Sequence, residues 1–127
     1  MQTRRPPAVL LARYWLPVFG YLGMVQLLGA QPDLQVPMLF ANVDKVVHVL
    51  EYLGLGVLLA RAIRATLKVP VPIRTALLAV GVGLCLGAAD EFIQSFVPGR
   101  MSSVNDLLAD GTGLLIAQFI YLLVVRE

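Results

Sequence analysis

Residues 88 to 110 read AADEFIQSFVPGRMSSVNDLLAD and residues 44 to 51 read DKVVHVLE. These stretches hold Asp44, Lys45, His48, Glu51, Asp90, Glu91, Gln94, Arg100, Asp106 and Asp110, side chains that move protons, hold cations or grip anions. In a helix, Asp44, His48 and Glu51 fall at i, i+4 and i+7 on one face, and Asp106 and Asp110 sit one turn apart. Glu91, Asp90 and His48 are the candidates for chemistry, because an imidazole among carboxylates can position or transfer protons. Arg100, with Lys45, suits an anionic group, since a guanidinium meets phosphate or carboxylate bidentately. Asp44, Glu51, Gln94, Asp106 and Asp110 complete the candidate binding set. Plainer readings stand beside these: Asp106 as a helix cap, Asp44 with Lys45 as an interfacial ion pair, and Arg100 as a neutraliser of nearby carboxylates.

His48 and Glu51 with Glu91 or Asp110 have the chemistry of cation ligands. Di-metal sites in helical bundles, however, use two Glu-x-x-His units, and this chain has a single histidine. No metal and no cofactor is therefore expected. Phosphate-loop, dinucleotide-binding and zinc-protease spacings do not occur, and nothing marks Ser95, Ser102 or Ser103 as a nucleophile.

The elements that must carry these groups are apolar. Of 127 residues, 58% are hydrophobic and 14% charged, against roughly 45–50% and ~25% in soluble domains. The mean hydropathy is +0.80. A net charge of +2 does not point to nucleic acid here, because the placement of the basic residues matters more than their sum. Four segments read as membrane helices within one domain, 1–127: about 14–30, 43–60, 73–97 and 107–125. Linkers with Gln31, Pro32, Asp33 and Pro37, then Lys68, Pro70 and Pro72, then Pro98 and Gly99 separate them. Ser103 and Asp106 have the spacing of a capping box. The first segment is read as a retained helix, since its apolar run exceeds a leader's ~7–15 residues. The single cysteine, Cys85, excludes an intramolecular disulfide.

The expected architecture is thus an all-α integral membrane four-helix bundle. Arg4, Arg5, Arg13, Arg61, Arg64, Lys68, Arg74 and Arg126 share one side of a four-span layout, leaving Lys45 and Arg100 on the other. The positive-inside rule then makes the N- and C-termini cytoplasmic and turns the Asp33 and Arg100 loops outward. Counting along the helices at about 1.5 Å per residue brings His48, Asp90 and Asp110 to similar depths. Gly83 and Gly87 lead into the Asp90 and Gln94 face, and Gly113 and Ala117 continue the Asp106 and Asp110 face, so close packing and polarity coincide.

Asp44-Lys45-x-x-His48, Asp90-Glu91-x-x-Gln94, Pro98-Gly99-Arg100 and Asp106 with Asp110-Gly111-x-Gly113, in this order, resemble the VanZ-like family. Where Asp110 stands, that family's pattern often has Asn. The resemblance implies a small bacterial integral membrane protein of four helices, whose namesake is associated with resistance to teicoplanin-type glycopeptide antibiotics. Combined with the residues, it gives a multi-pass protein of the cytoplasmic membrane. Its outward polar site would bind or modify a lipid-linked cell-wall precursor or an anionic lipid head group. Whether it is an enzyme stays open. The alternatives are a proton-coupled transporter, whose path would need a homo-oligomer to continue past the apolar inner halves, and a non-catalytic accessory or scaffold protein.

Overall fold

A computed structural model describes residues 4–29, 42–68, 70–99 and 103–125. The linker at 31–37 and residues Arg100, Ser102 and Arg126, all of which entered the reading of the sequence, lie outside them. The described residues form four helices, α1 Pro7–Gly29, α2 Val43–Leu67, α3 Pro72–Gln94 and α4 Val104–Val124, each long and apolar enough to cross a membrane. At about 1.5 Å per residue they span roughly 32–38 Å, against a hydrocarbon core of ~30 Å.

Local chemistry sets where they start and stop. Proline opens α1 at Pro7 and α3 at Pro72, where a missing N–H costs nothing. In α4, the Ser103 hydroxyl accepts from the Asp106 N–H at 3.2 Å, so the helix begins at Val104 and not near 107. Helix α2 runs past Ala60 to Leu67. Arg61 and Arg64 point outward while Ala62 and Ile63 remain buried, so the first charge does not end the span. Lys68, left-handed at φ 49°, caps it by donating its N–H to the Arg64 carbonyl. Helix α3 ends at Gln94, short of 97, because Pro98 disfavours helical geometry before it; Phe96 and Val97 turn off through bonds to the Ile93 and Gln94 carbonyls. Helix α1 starts before Tyr14 and widens into a π-helical stretch at Leu11–Trp15, next to Pro17, which lacks the N–H that would reach the Arg13 carbonyl.

The helices run up, down, up, down, so α2 and α4 are parallel. Their register is fixed along the interface: Lys45 meets Asp106, His48 meets Asp110, and the Gln118 amide donates to the Gly56 carbonyl at 3.0 Å. Gly113 permits this approach, since a Cβ there would strike the Val49 carbonyl oxygen and come within 2.9 Å of the Leu53 nitrogen. Antiparallel α3 closes the other side, with Gly83 against Leu114 and Gly87 against Asp110. Tyr52, Leu55, Leu59 and Leu114 fill the centre. Helix α1 packs mainly on α2, fastened by Trp15 Nε1 donating to Thr66 Oγ1 at 2.7 Å and by Tyr21 Oη donating to the Glu51 carbonyl at 2.7 Å. The outer surface carries apolar side chains such as Leu77, Phe92, Leu115 and Phe119, as a bundle in lipid requires.

Candidate functional site

The α2 and α4 N-termini and the α3 C-terminus meet at one end of the bundle, and within the first turns of that end lies a polar cluster. Three cross-helix pairs descend through it. Nearest the end, Lys45 Nζ binds Asp44 Oδ2 at 2.8 Å and Asp106 Oδ1. One turn deeper, His48 Nδ1 and Asp110 Oδ1 lie 2.8 Å apart. One turn further along α2, Tyr52 reaches back and its Oη donates to Asp90 Oδ2 at 3.3 Å, while Gln94 Nε2 donates to Asp90 Oδ1 at 3.2 Å. Glu91 joins from α3, its Oε2 accepting from the Ser103 N–H at 3.3 Å.

Burial separates the members. Asp90, Glu91, Gln94, Asp106 and Asp110 are buried, with Asp110 at 0% exposure and Asp90 at 1%. Asp44 is on the rim, its side chain 58% exposed. Glu51 is half-buried on α2, and its described bond is made by its backbone carbonyl. Arg100 lies outside the described residues, so its expected contact with an anion has no geometry here. Asp106 gives only its backbone N–H to the Ser103 cap; its carboxylate is on Lys45, and the Ser103 N–H that a capping box would give it goes to Glu91 Oε2.

Two carboxylate oxygens stand out. Glu91 Oε1 and Asp110 Oδ2 are buried without a hydrogen-bond partner. Buried polar atoms are nearly always paired, and leaving one unpaired costs about 1–3 kcal/mol, so two orphaned carboxylate oxygens in one cluster are candidates for contact with a ligand or ion. Gly87 lets α3 come up to this carboxylate: a Cβ there would sit 3.2 Å from Asp110 Oδ2 and from the Leu107 side chain, and 3.3 Å from the Tyr52 ring.

The spacing of Asp44, His48 and Glu51 brought out α2 as the carrier of the site but passed over Tyr52. Its signal was available, since Tyr52 follows His48 by four residues and so continues the same face. In an apolar helix a tyrosine reads as core or interface, and only the position of Asp90 on another helix reveals its hydroxyl as part of the cluster. Gln26 of α1 also reaches Asp90 with its side chain, from a segment that offered no motif.

Four membrane-length helices enclosing a half-satisfied ionisable cluster at one end define a small multi-pass membrane protein with a polar site inside its spans. Its family follows from the sequence as a whole. The family model described as VanZ/LLP1 matches residues 8–125, and the chain belongs to that family. No curated protein and no solved structure gives a match.

Proposed function

We propose that this end of the bundle faces outward from the cytoplasmic membrane and binds the head group of a lipid-linked cell-envelope molecule. The observation carrying this reading is the pair of buried, unpartnered oxygens, Glu91 Oε1 and Asp110 Oδ2, less than two helical turns below the end of an otherwise apolar bundle. A ligand that reaches them must already be at the membrane surface. The VanZ-like resemblance supports an envelope molecule and, for this chain, a contribution to teicoplanin-type resistance.

Charge refines the ligand. Asp44, Asp90, Glu91, Asp106 and Asp110 outnumber Lys45 and His48 among the described groups. Carboxylate oxygens accept hydrogen bonds, so the interior favours hydroxyl, amide or ammonium donors of a sugar or peptide head group. A phosphate would sit further out, with Lys45 and Arg100. The transporter alternative gains less support. Among the described residues the buried carboxylates all lie at this end, and below them Gln118 is spent in part on the Gly56 carbonyl.

The test is teicoplanin susceptibility of a sensitive Gram-positive host producing the protein, compared with Glu91→Gln and Arg100→Ala at matched membrane levels. Protection by the wild type that both variants lose supports the reading. Protection that survives both substitutions removes the site from it, and a wild type without protection removes resistance from this chain's function.

A further inference from the structure

We propose that His48, Glu91 and Asp110 form a binding site for one divalent transition-metal ion of the zinc class. A ring nitrogen of His48, a carboxylate oxygen of Glu91 and one of Asp110 all lie within 4.8 Å of one another. Each of the three inner helices supplies one of them: α2 the imidazole, α3 and α4 the carboxylates.

Two independent observations add to the proximity of these three groups. The first is that both carboxylates present an orphan: Glu91 Oε1 and Asp110 Oδ2 have no hydrogen-bond partner, although Glu91 is 7% exposed and Asp110 0%. The second is the close approach at Gly87, where a Cβ would sit 3.2 Å from Asp110 Oδ2 and from the Leu107 side chain, so that α3 brings Glu91 up against α4. The described ammonium at this end, Lys45, is already engaged with Asp44 and Asp106. His48 carries at most one positive charge and already faces Asp110 Oδ1. A divalent ion would balance the charge of two carboxylates and give an unpartnered oxygen a ligand bond, whereas a water molecule, which can donate to two oxygens, leaves both charges unbalanced.

The donor set selects the ion. One imidazole nitrogen with two carboxylate oxygens suits zinc, manganese or iron(II), whereas calcium takes 6–8 oxygens and Cu(I) prefers sulfur. Cys85, the one thiol, is exposed on α3 and offers none. Three protein ligands leave at least one position for water or for an oxygen of a bound molecule, the arrangement of catalytic rather than structural zinc sites. The single histidine, which argued against a di-metal centre, is sufficient for a mononuclear one whose other ligands come from neighbouring helices. The ion does not need the lipid-linked ligand in order to bind; with the ion in place, the head group proposed above would meet it at the open position instead of reaching Glu91 and Asp110 directly.

The experiment uses the full chain, purified in dodecyl maltoside with a tag free of histidine, stripped with EDTA and reloaded with Zn2+. Metal content after desalting is expected at about one zinc per chain. Zinc affinity should fall at least ~10–100-fold in His48→Ala and Glu91→Gln, since even outer partners of metal ligands are worth that much, and the retained zinc should fall with it. Gly81→Ala, exposed on α3 and outside the cluster, should hold zinc like the wild type. Helical circular dichroism confirms that each variant is folded. Co2+ in place of zinc reports ligation through its visible absorption, expected in the wild type and absent from His48→Ala. A folded wild type that retains neither Zn2+, Co2+ nor Mn2+ overturns the proposal, as do His48→Ala and Glu91→Gln chains that retain as much as the wild type. Teicoplanin protection by a wild type that retains none of these ions would leave the lipid reading intact while the ion falls, and a zinc-retaining wild type without protection would do the reverse.

Discussion

His48 Nδ1 and Asp110 Oδ1 lie 2.8 Å apart across two parallel helices, with Asp110 wholly buried and the His48 side chain 13% exposed. The pair ties α2 to α4 at the level of the polar cluster. Truncating His48 to Ala strands a buried carboxyl. The expected loss is about 2–4 kcal/mol, between the best interhelical hydrogen bonds measured in membranes and a broken buried ion pair in water. In a double-mutant cycle with Asp110→Ala, unfolding in detergent micelles followed by circular dichroism should give a coupling of about 1–3 kcal/mol. Additive single effects would mean that the pair does not hold these helices together.

The same interface depends on Gly113. Its substitution by Ala would drive a methyl into the Val49 carbonyl and force the parallel helices apart, for a loss of about 1–3 kcal/mol. Gly81 is the internal comparison, being helical and exposed, with nothing within 4 Å of the position a methyl group would take. Gly81→Ala should be neutral or gain up to ~1 kcal/mol from helix propensity. Equal effects at the two positions would show that general glycine flexibility, and not close approach, governs stability.

The four spans and the level of the cluster were legible because both depend on quantities a sequence carries directly. Apolar length sets the spans, and rise per residue sets the depth of His48, Asp90 and Asp110. The faces were legible too: Gly83, Gly87, Asp90 and Gln94 are all buried, as are Asp106, Asp110, Gly113 and Ala117. Partner choice was not. His48 stands three residues from Glu51 on its own helix, yet it meets Asp110, sixty-two positions away. That pairing follows from the α2–α4 register, which the approach of Gly113 to Val49 sets and no local spacing encodes. Helix ends were displaced for a related reason, since Arg61 and Arg64 extend their chains outward and let α2 continue where a hydropathy reading stops.

Tyr52→Phe removes a hydroxyl and nothing else from the core. Asp90 Oδ2 would lose the donor 3.3 Å away, leaving Gln94 on the other oxygen and Gln26 of α1 on the carboxylate. A cost of about 0.5–1.5 kcal/mol is expected for a buried acceptor that loses one of its donors, visible as a lower midpoint of unfolding in micelles. Asp44→Asn, by contrast, alters an exposed member of the Lys45 ion pair and should change stability by less than about 0.5 kcal/mol. A Tyr52→Phe chain as stable as the wild type would show that Asp90 does not need its hydroxyl.

Orientation has its own physical signature at the opposite end. The Arg5, Arg13 and Arg61 guanidinium carbons lie 5.3, 5.8 and 5.0 Å from the centre of the Tyr14 ring, and Arg5 also donates to its hydroxyl. Three cations around one aromatic ring concentrate positive charge where α1 begins and α2 nears its end, and under the positive-inside rule such an end is expected on the cytoplasmic side. With Cys85 replaced by Ser, single cysteines at the exposed positions Asn105 and Arg64 test this. A membrane-impermeant maleimide should label Asn105→Cys in intact cells and Arg64→Cys only after permeabilisation. The reverse pattern would place Lys45, His48 and Asp110 on the cytoplasmic side. Any ligand of the cluster would then have to come from the inner leaflet or the cytosol, and outer-leaflet envelope molecules would be out of its reach.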